Sequence, residues 1–570
     1  MRNTINLLFL TCAVIVSCTR HQPADAIFFN GTIYTVDNQN PVVEAVAVKN
    51  GRIVSAGKLP MVKEMAGTST QMIDLKGYTM TPGFIESHGH FLGMGMNNLE
   101  LDLLSTTSYE EIIQMVKEAA HRARPGEWIT GRGWHQSKWD SIPKPAFRGF
   151  PIHEKLSEVS PDNPVYLRHA SGHAGLANAR AMSIAGVNQL SVEKLQHEVN
   201  GGEIIKDEYG NPTGVFTENA EKLISDKIPL PDEEKNYKAF LSAVNSCHAN
   251  GITSFVDAGV DARDIDLYRK AIANGDLKVR LYVMLSGDEA DLLKEWYAKG
   301  PEIDTVNFMF TIRSIKLYAD GALGSRGAWL LHEYSDRPGW YGNIVTPMDT
   351  ILSISNEGLK NGFQVCTHAI GDRANREVLD NYEKAFAKHP EATDPRFRIE
   401  HAQHIDPDDL GRFAQLKVIA AMQAIHMSSD RPWAIDRLGD ERIKEGAYMW
   451  QSLLNSGAVI VNGTDVPVEP IDPIACFYAS VTRKTLKGVP EGGYESEERM
   501  TRDQALRSYT LDGAYGTFEE NVKGSIKVGK LADFTVFSQD IMKVDESKLL
   551  DTEVMMTVLG GKEVFKNNNY

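Results

Sequence analysis

Thr81-Pro82-Gly83-Phe84-Ile85-Glu86-Ser87-His88-Gly89-His90 decides the reading of this chain. An apolar run ends there in two histidines spaced i and i+2. Side chains alternate along a strand, so a strand ending at this point turns both imidazoles to one side. Two nitrogen donors on one side suit a divalent metal. A His-X-His pair in a polar loop would look the same, so the reading depends on partners far away in the sequence.

Such partners stand at the ends of further apolar runs. Lys316 closes Ile312-Arg313-Ser314-Ile315-Lys316, His368 closes Phe363-Gln364-Val365-Cys366-Thr367-His368, and His401 closes Phe397-Arg398-Ile399-Glu400-His401. Asp465 follows Val459-Ile460-Val461-Asn462-Gly463-Thr464. With these segments, and with Gly131-Arg132-Gly133-Trp134, Asp320-Gly321-Ala322-Leu323-Gly324-Ser325-Arg326 and His368-Ala369-Ile370-Gly371-Asp372-Arg373-Ala374-Asn375, the chain resembles the amidohydrolase superfamily of metal-dependent hydrolases. Within it the likeness is to amidohydrolase family 3, the group of N-substituted formamide deformylase-like and YtcJ-like proteins, and it covers nearly all of the chain after its first residues.

The resemblance implies a ligand set. His88 and His90 would hold one metal and His368 and His401 a second; Lys316 would bridge them as a carbamate, and Asp465 would bind beside the nucleophilic water. The catalytic trio would be Asp465, His368 and Lys316. Zinc leads, with Fe, Mn, Co or Ni as alternatives, and one or two ions per chain are expected. Metal binding lowers the pKa of water from 15.7 to about 7, so hydroxide forms at neutral pH. Asp465 would take the proton of the attacking water and return it to the leaving amine. Lys316 has a plainer reading, a pair with Asp320 on the strand edge. His404 competes with His401 after the same apolar run and reads as a polar supporting or surface residue. For substrate contact the sequence offers Trp134, His173, Asp320, Arg326, Gln423, His426 and Asp430. Arg326 would clamp a carboxylate bidentately or brace its own loop, and Trp433 would line the pocket or pack.

Apolar strand-like runs alternate with helical patterns, the signature of βα units and a parallel sheet. The expected fold is α/β: a TIM (β/α)8 barrel over 81–516, with strands near Thr81, Ser254, Leu281, Ile315, Val365, Ile399, Ala420 and Ile460. The proposed ligands then fall at the C-terminal ends of strands, where such barrels keep their active sites. The stretch 91–250 is too long for one βα connection and reads as an inserted lid. Residues 26–80 and 517–566 read as β segments of one composite sandwich, as in the family, with the Asn30-Gly31 and Asn50-Gly51 pairs as hairpin signals.

At 570 residues and 42% hydrophobic content the chain can bury a large core, and its net charge of −16 without a basic tract argues against a nucleic-acid partner. The first 17 residues read as a lipoprotein signal peptide: a basic start at Arg2, an apolar stretch too short to span a bilayer, then Ile15-Val16-Ser17-Cys18, which is similar to a bacterial lipobox. Lipidation of Cys18, a linker over 18–25 and a membrane-tethered place in the cell envelope follow. A plain secretory peptide is the alternative. Cys247, Cys366 and Cys476 are too scattered for a disulfide framework. Cys366 reads as a small buried residue, with a soft metal ligand as the rarer alternative.

The function expected is hydrolysis of a C–N bond in a small-molecule amide. The alternatives are ester or lactone hydrolysis or deamination on the same site, or a lipid-anchored binding protein without turnover. The resemblance suggests a homodimer.

Overall fold

In the computed structural model, which describes residues 22–570 apart from Ile142 and Asn200, Phe84–Gly89 is the first of eight parallel strands. The others are Ile252–Val260, Arg280–Ser286, Phe310–Tyr318, Gln364–Ala369, Arg398–His401, Ile419–Met422 and Ile460–Asn462, each paired with the one before. Phe84–Gly89 and Gln364–Ala369 are buried at every residue, as expected of strands covered on both faces. The ring closes beyond the last strand, where Asp465 N donates to His88 O (2.9 Å) and His90 N to Val466 O (2.7 Å). The fold is thus the expected TIM-type barrel with additional sheets. Seven of the expected strand positions lie inside these strands; Thr81 does not. It belongs to Thr79–Pro82, a strand of the terminal sheet, and the barrel begins only at Phe84, after Gly83.

The terminal sheet has eight strands drawn from both ends of the chain. Phe534–Phe537 runs antiparallel to Thr79–Pro82 and stitches the C-terminal strands to the N-terminal ones. Phe28, Val46, Met80, Phe534, Val536 and Val558 fill a core on one face; Ile27, Ala45 and Ala47 meet Val62 on the other. Asn50-Gly51 makes the expected hairpin between Val42–Lys49 and Arg52–Gly57, with φ of 51° and 74° as a primed turn requires. Asn30-Gly31 does not turn the chain. It lies inside the strand Ala26–Tyr34 at a bulge, before which the strand pairs with Gln71–Asp74 and after which it pairs with Thr79–Pro82. A buried ion pair, Arg280 Nε to Asp533 Oδ2 at 2.7 Å, ties this unit to the barrel.

The insertion between the first two barrel strands carries its own six-stranded sheet, from Leu101–Asp102 to Pro212–Glu218. Its core is built by Leu103, Ile112, Trp134, Leu167 and Val215 on one side and by Tyr166, Met182, Phe216 and Ile224 on the other. Cys247, Cys366 and Cys476 are buried free thiols, and Cys366 packs with Val256, Tyr282 and Met284 inside the barrel, in register with Lys316 on the neighbouring strand. The leader and Cys18 lie outside the described residues. Among the described residues no helix is long and apolar enough to cross a membrane.

Candidate metal centre

The strand ends bring six residues to the floor of one cavity of about 1270 Å³: His88, His90, Lys316, His368, His401 and Asp465. One donor atom from each of His88, His90 and Asp465 lies within 4.8 Å of the others. Asp465 Oδ1 is 3.3 Å from His90 Nε2 and 3.6 Å from His88 Nε2. The His368 and His401 rings stand 4.5 Å apart, and His401 is 5.0 Å from His88, so the second histidine pair adjoins the first group.

Three of the four imidazoles are aimed by Nδ1. His88 Nδ1 donates to Glu400 Oε2 (2.5 Å), His90 Nδ1 to Ala258 O (3.0 Å) and His401 Nδ1 to Gln423 Oε1 (2.7 Å). These bonds leave Nε2 of each ring for a cation, the arrangement that orients metal-binding histidines generally. Glu400 is itself fixed by the buried Arg398, whose Nε and Nη2 donate at 2.7 and 2.9 Å. Burial alone would raise the Glu400 carboxyl, but Arg398 and His88 hold it well below the usual carboxylate range.

Backbone strain marks the same place. His401 and Asp465 have φ of 75° and 57°, a region that β-strand residues with side chains seldom enter. The chain can turn there because Gly463 lies against the first strand; a Cβ on it would come within 2.3 Å of Glu86 Oε1. Glu86 takes hydrogen bonds from Thr464 N and Oγ1 (2.6 and 3.0 Å), which fixes the loop that presents Asp465.

The donor set fits a divalent cation. Asp465 Oδ1 and His368 Nε2 are buried with no hydrogen-bond partner among the described residues. Such atoms cost about 1–3 kcal/mol each when left unmatched, and imidazole with carboxylate is a set that zinc and its neighbours accept. Asp465 is held far below the ordinary aspartate range: burial opposes the charge, but the nearness of the His90, His88 and His401 imidazoles outweighs it. Burial lowers Lys316 to about 8.

Several expected contacts fall elsewhere. Lys316 does not pair with Asp320; its Nζ lies 3.2 Å from His88 Nε2. Asp320 is spent on three backbone donors, Trp329 N, Ile370 N and Gly371 N (2.8–3.0 Å), and braces the loop beside His368. Trp134 is buried in the insertion, donating Nε1 to Leu167 O, and lines neither cavity at the centre. Arg326 braces its loop through Asp336 (2.8 and 3.1 Å) and clamps nothing in the cavity. Gln423 positions His401. His404 is buried, not superficial, and sits 3.4 Å from Asp372. His173, His426, Asp430 and Trp433 do line a chamber of about 50 Å³ that opens onto His368, His401 and Asp465. Glu86, Glu218, Arg398 and Glu400 were missed in the sequence. Alternation of Arg398 and Glu400 along a buried strand was the available signal.

The sequence pattern of the amidohydrolase family matches residues 71–565. The chain is 32% identical to "Protein LONG AFTER FAR-RED 3" of Arabidopsis thaliana over 95% of its own length and 92% of that protein's. It is 26% identical to "N-substituted formamide deformylase" of Arthrobacter pascens over 95% and 98% of the two chains. Among solved structures, an uncharacterized metal-dependent hydrolase from Pyrococcus horikoshii OT3 superposes with a TM-score of 0.71 at 27% identity, covering 92% of this chain and 99% of that one. With the barrel, the strand-end histidines and a match over most of its length, this chain belongs to the amidohydrolase family and is a hydrolase of metal-dependent type.

Proposed function

We propose that the protein hydrolyses the C–N bond of a small-molecule amide. The observation that carries this is the convergence of His88, His90 and Asp465, beside Lys316, His368 and His401, at the mouth of the barrel. The name of the Arthrobacter relative, a formamide deformylase, supports the bond class. A divalent cation held there supplies Lewis acidity and makes a water acidic enough to ionise near neutral pH.

The chain's own part is to hold donors and move a proton. Asp465, anionic at any working pH, takes the proton of the attacking water on its carboxylate and gives it to the nitrogen that leaves. Lys316 with its lowered pKa offers a neutral amine, the form that adds carbon dioxide and loses a proton to become a carbamate, whose oxygens would suit a divalent cation. His173 enters from the insertion: Glu218 Oε2 accepts its Nδ1–H at 2.7 Å and, against burial, raises its pKa, so the imidazolium keeps an Nε2–H to donate to the substrate carbonyl. Anchoring in the cell envelope through Cys18 is part of the same proposal.

The test is a paired screen of N-substituted formamides and N-acyl amines against esters of the same acyl groups. Turnover of amides supports the reading, and a protein that cleaves only esters refutes it.

A further inference from the structure

Two arginines of the insertion are placed as a site that the metal chemistry does not use. Ile129–Trp134 and Val165–His169 are parallel neighbours, and Arg132 stands in register with Arg168. Residues in register share a face, on strands about 4.8 Å apart. Both arginines line the cavity that holds the six metal-centre residues. Like charges directly opposite each other in a sheet destabilise it, so a structural role alone would favour almost any other pair.

No acid pairs directly with either arginine, although Glu221 and Asp465 act on Arg132 from a distance. Among the described residues no carboxylate oxygen lies within 4.0 Å of either guanidinium. Glu221, the nearest acidic element of the insertion, is occupied by the Tyr166 hydroxyl at 2.7 Å. Arg132 is instead fixed by carbonyls: Nη2 donates to Ala170 O (2.9 Å) and Nε to Pro467 O (3.3 Å), two residues beyond Asp465. Its third nitrogen, Nη1, has no partner among the described residues. The guanidinium is therefore held rigidly beside the reaction centre, with Arg168 exposed to the cavity next to it. In the rest of the cavity wall acids outnumber bases, with Glu218, Glu221, Asp257, Asp261, Asp264 and Asp288 beside Lys222, Lys235 and Arg263. That distribution repels a polyanion and accepts one compact negative group at the arginines.

We infer that Arg132 and Arg168 form an anion subsite and that the amide substrate carries a carboxylate, as an N-acyl amino acid does. The anion subsite stands on the arginine pair; only the word amide rests on the function proposed above. The clamp that the sequence assigned to Arg326 is thus supplied from the insertion, by a residue of the Gly131-Arg132-Gly133-Trp134 segment.

The test uses the purified protein with N-formyl-phenylalanine and its decarboxylated analogue, N-formyl-2-phenylethylamine. The wild type is expected to prefer the carboxylate in kcat/KM by about tenfold or more, the worth of one charge-assisted pair. That preference should fall by about tenfold, mainly through KM, in Arg168→Gln and in Arg132→Gln. Arg168→Gln alters an exposed side chain and keeps the test open if Arg132→Gln misfolds. A preference absent in the wild type, or unaltered in Arg168→Gln, overturns the inference. If neither formamide turns over, calorimetric binding of phenylacetate against phenylacetamide separates the two claims. Phenylacetate binding that Arg168→Gln abolishes keeps the subsite while the amide reading fails, and no phenylacetate binding in the wild type rejects the subsite.

Discussion

At the scale of the residue, the account turns on Asp465 and on Glu400, which sits behind His88. In the proposed function Asp465 joins the ligand group and carries the proton, so Asp465→Asn should lower kcat by about 10²–10⁴-fold, with the fold intact by circular dichroism. Glu400 touches no substrate. It fixes the His88 tautomer and balances Arg398, so Glu400→Gln should weaken metal affinity by about 10–100-fold in chelator competition. An unaltered affinity would mean that His88 is not a ligand. The residues that converge on the cavity were legible because each closes an apolar run and matches a family segment. Glu400 was not, because its meaning lies in a contact with a histidine 312 positions away. Arg326 shows the converse: a residue of the right type in a matching segment, whose acidic partner Asp336 consumes it.

At the scale of the element, the loops after the strands do the placing. The carboxylate of Glu218 occupies space left by two glycines of the segment after Lys316; a Cβ on Gly321 or on Gly327 would come within 2.2 Å of its Oε1. Gly321→Ala should therefore displace Glu218 and with it His173, lowering kcat/KM by about 10–100-fold while metal content stays at the wild-type level. Steady-state kinetics beside metal analysis checks this. Away from the centre, Asp264 on the helix Ala262–Asn274 is pushed up to about 7 by burial and by the charges of Asp261 and Asp257. The unfolded chain releases this proton near pH 4 and the folded chain only near 7, so the native state loses stability as pH rises between them. Asp264→Asn should accordingly stabilise the protein above pH 7, by about 1 kcal/mol after solvent screening, and have little effect at pH 4. Melting temperatures at the two pH values decide it. Strand identities were readable from apolar runs, but boundaries were not. Thr81 and Phe84 sit in one continuous apolar stretch, and only the pairing of Thr79–Pro82 with Ala26–Tyr34 and Phe534–Phe537 assigns Thr81 to the other sheet. Asn-Gly was equally ambiguous, a turn at 50–51 and a bulge at 30–31, because pairing partners rather than the dipeptide choose between them.

At the scale of the whole molecule, two sheets meet at one cavity: the barrel presents the proposed metal donors and the insertion covers them, while the terminal sheet is tied to the barrel through Arg280 and Asp533. The barrel and the joined termini were legible in the alternation of runs and in the family likeness. The surface of the insertion that faces the donors was not, because periodicity locates strands but does not say which face meets another unit. The proposed envelope location is tested by fractionation: Cys18→Ala should move the protein from the membrane to the soluble fraction, and an unchanged distribution would remove the anchor. The central claim is that a divalent cation bound by His88, His90 and Asp465 drives hydrolysis. Its most direct test is metal content per chain, by mass spectrometry of protein expressed with mixed metals and bicarbonate, for the wild type beside His88→Ala and Asp465→Ala. The account predicts about one or two divalent ions per wild-type chain, with ions and formamide hydrolysis lost together in the variants. A metal-free wild type that still turns over substrate, or variants that keep both their metal and their activity, would contradict it.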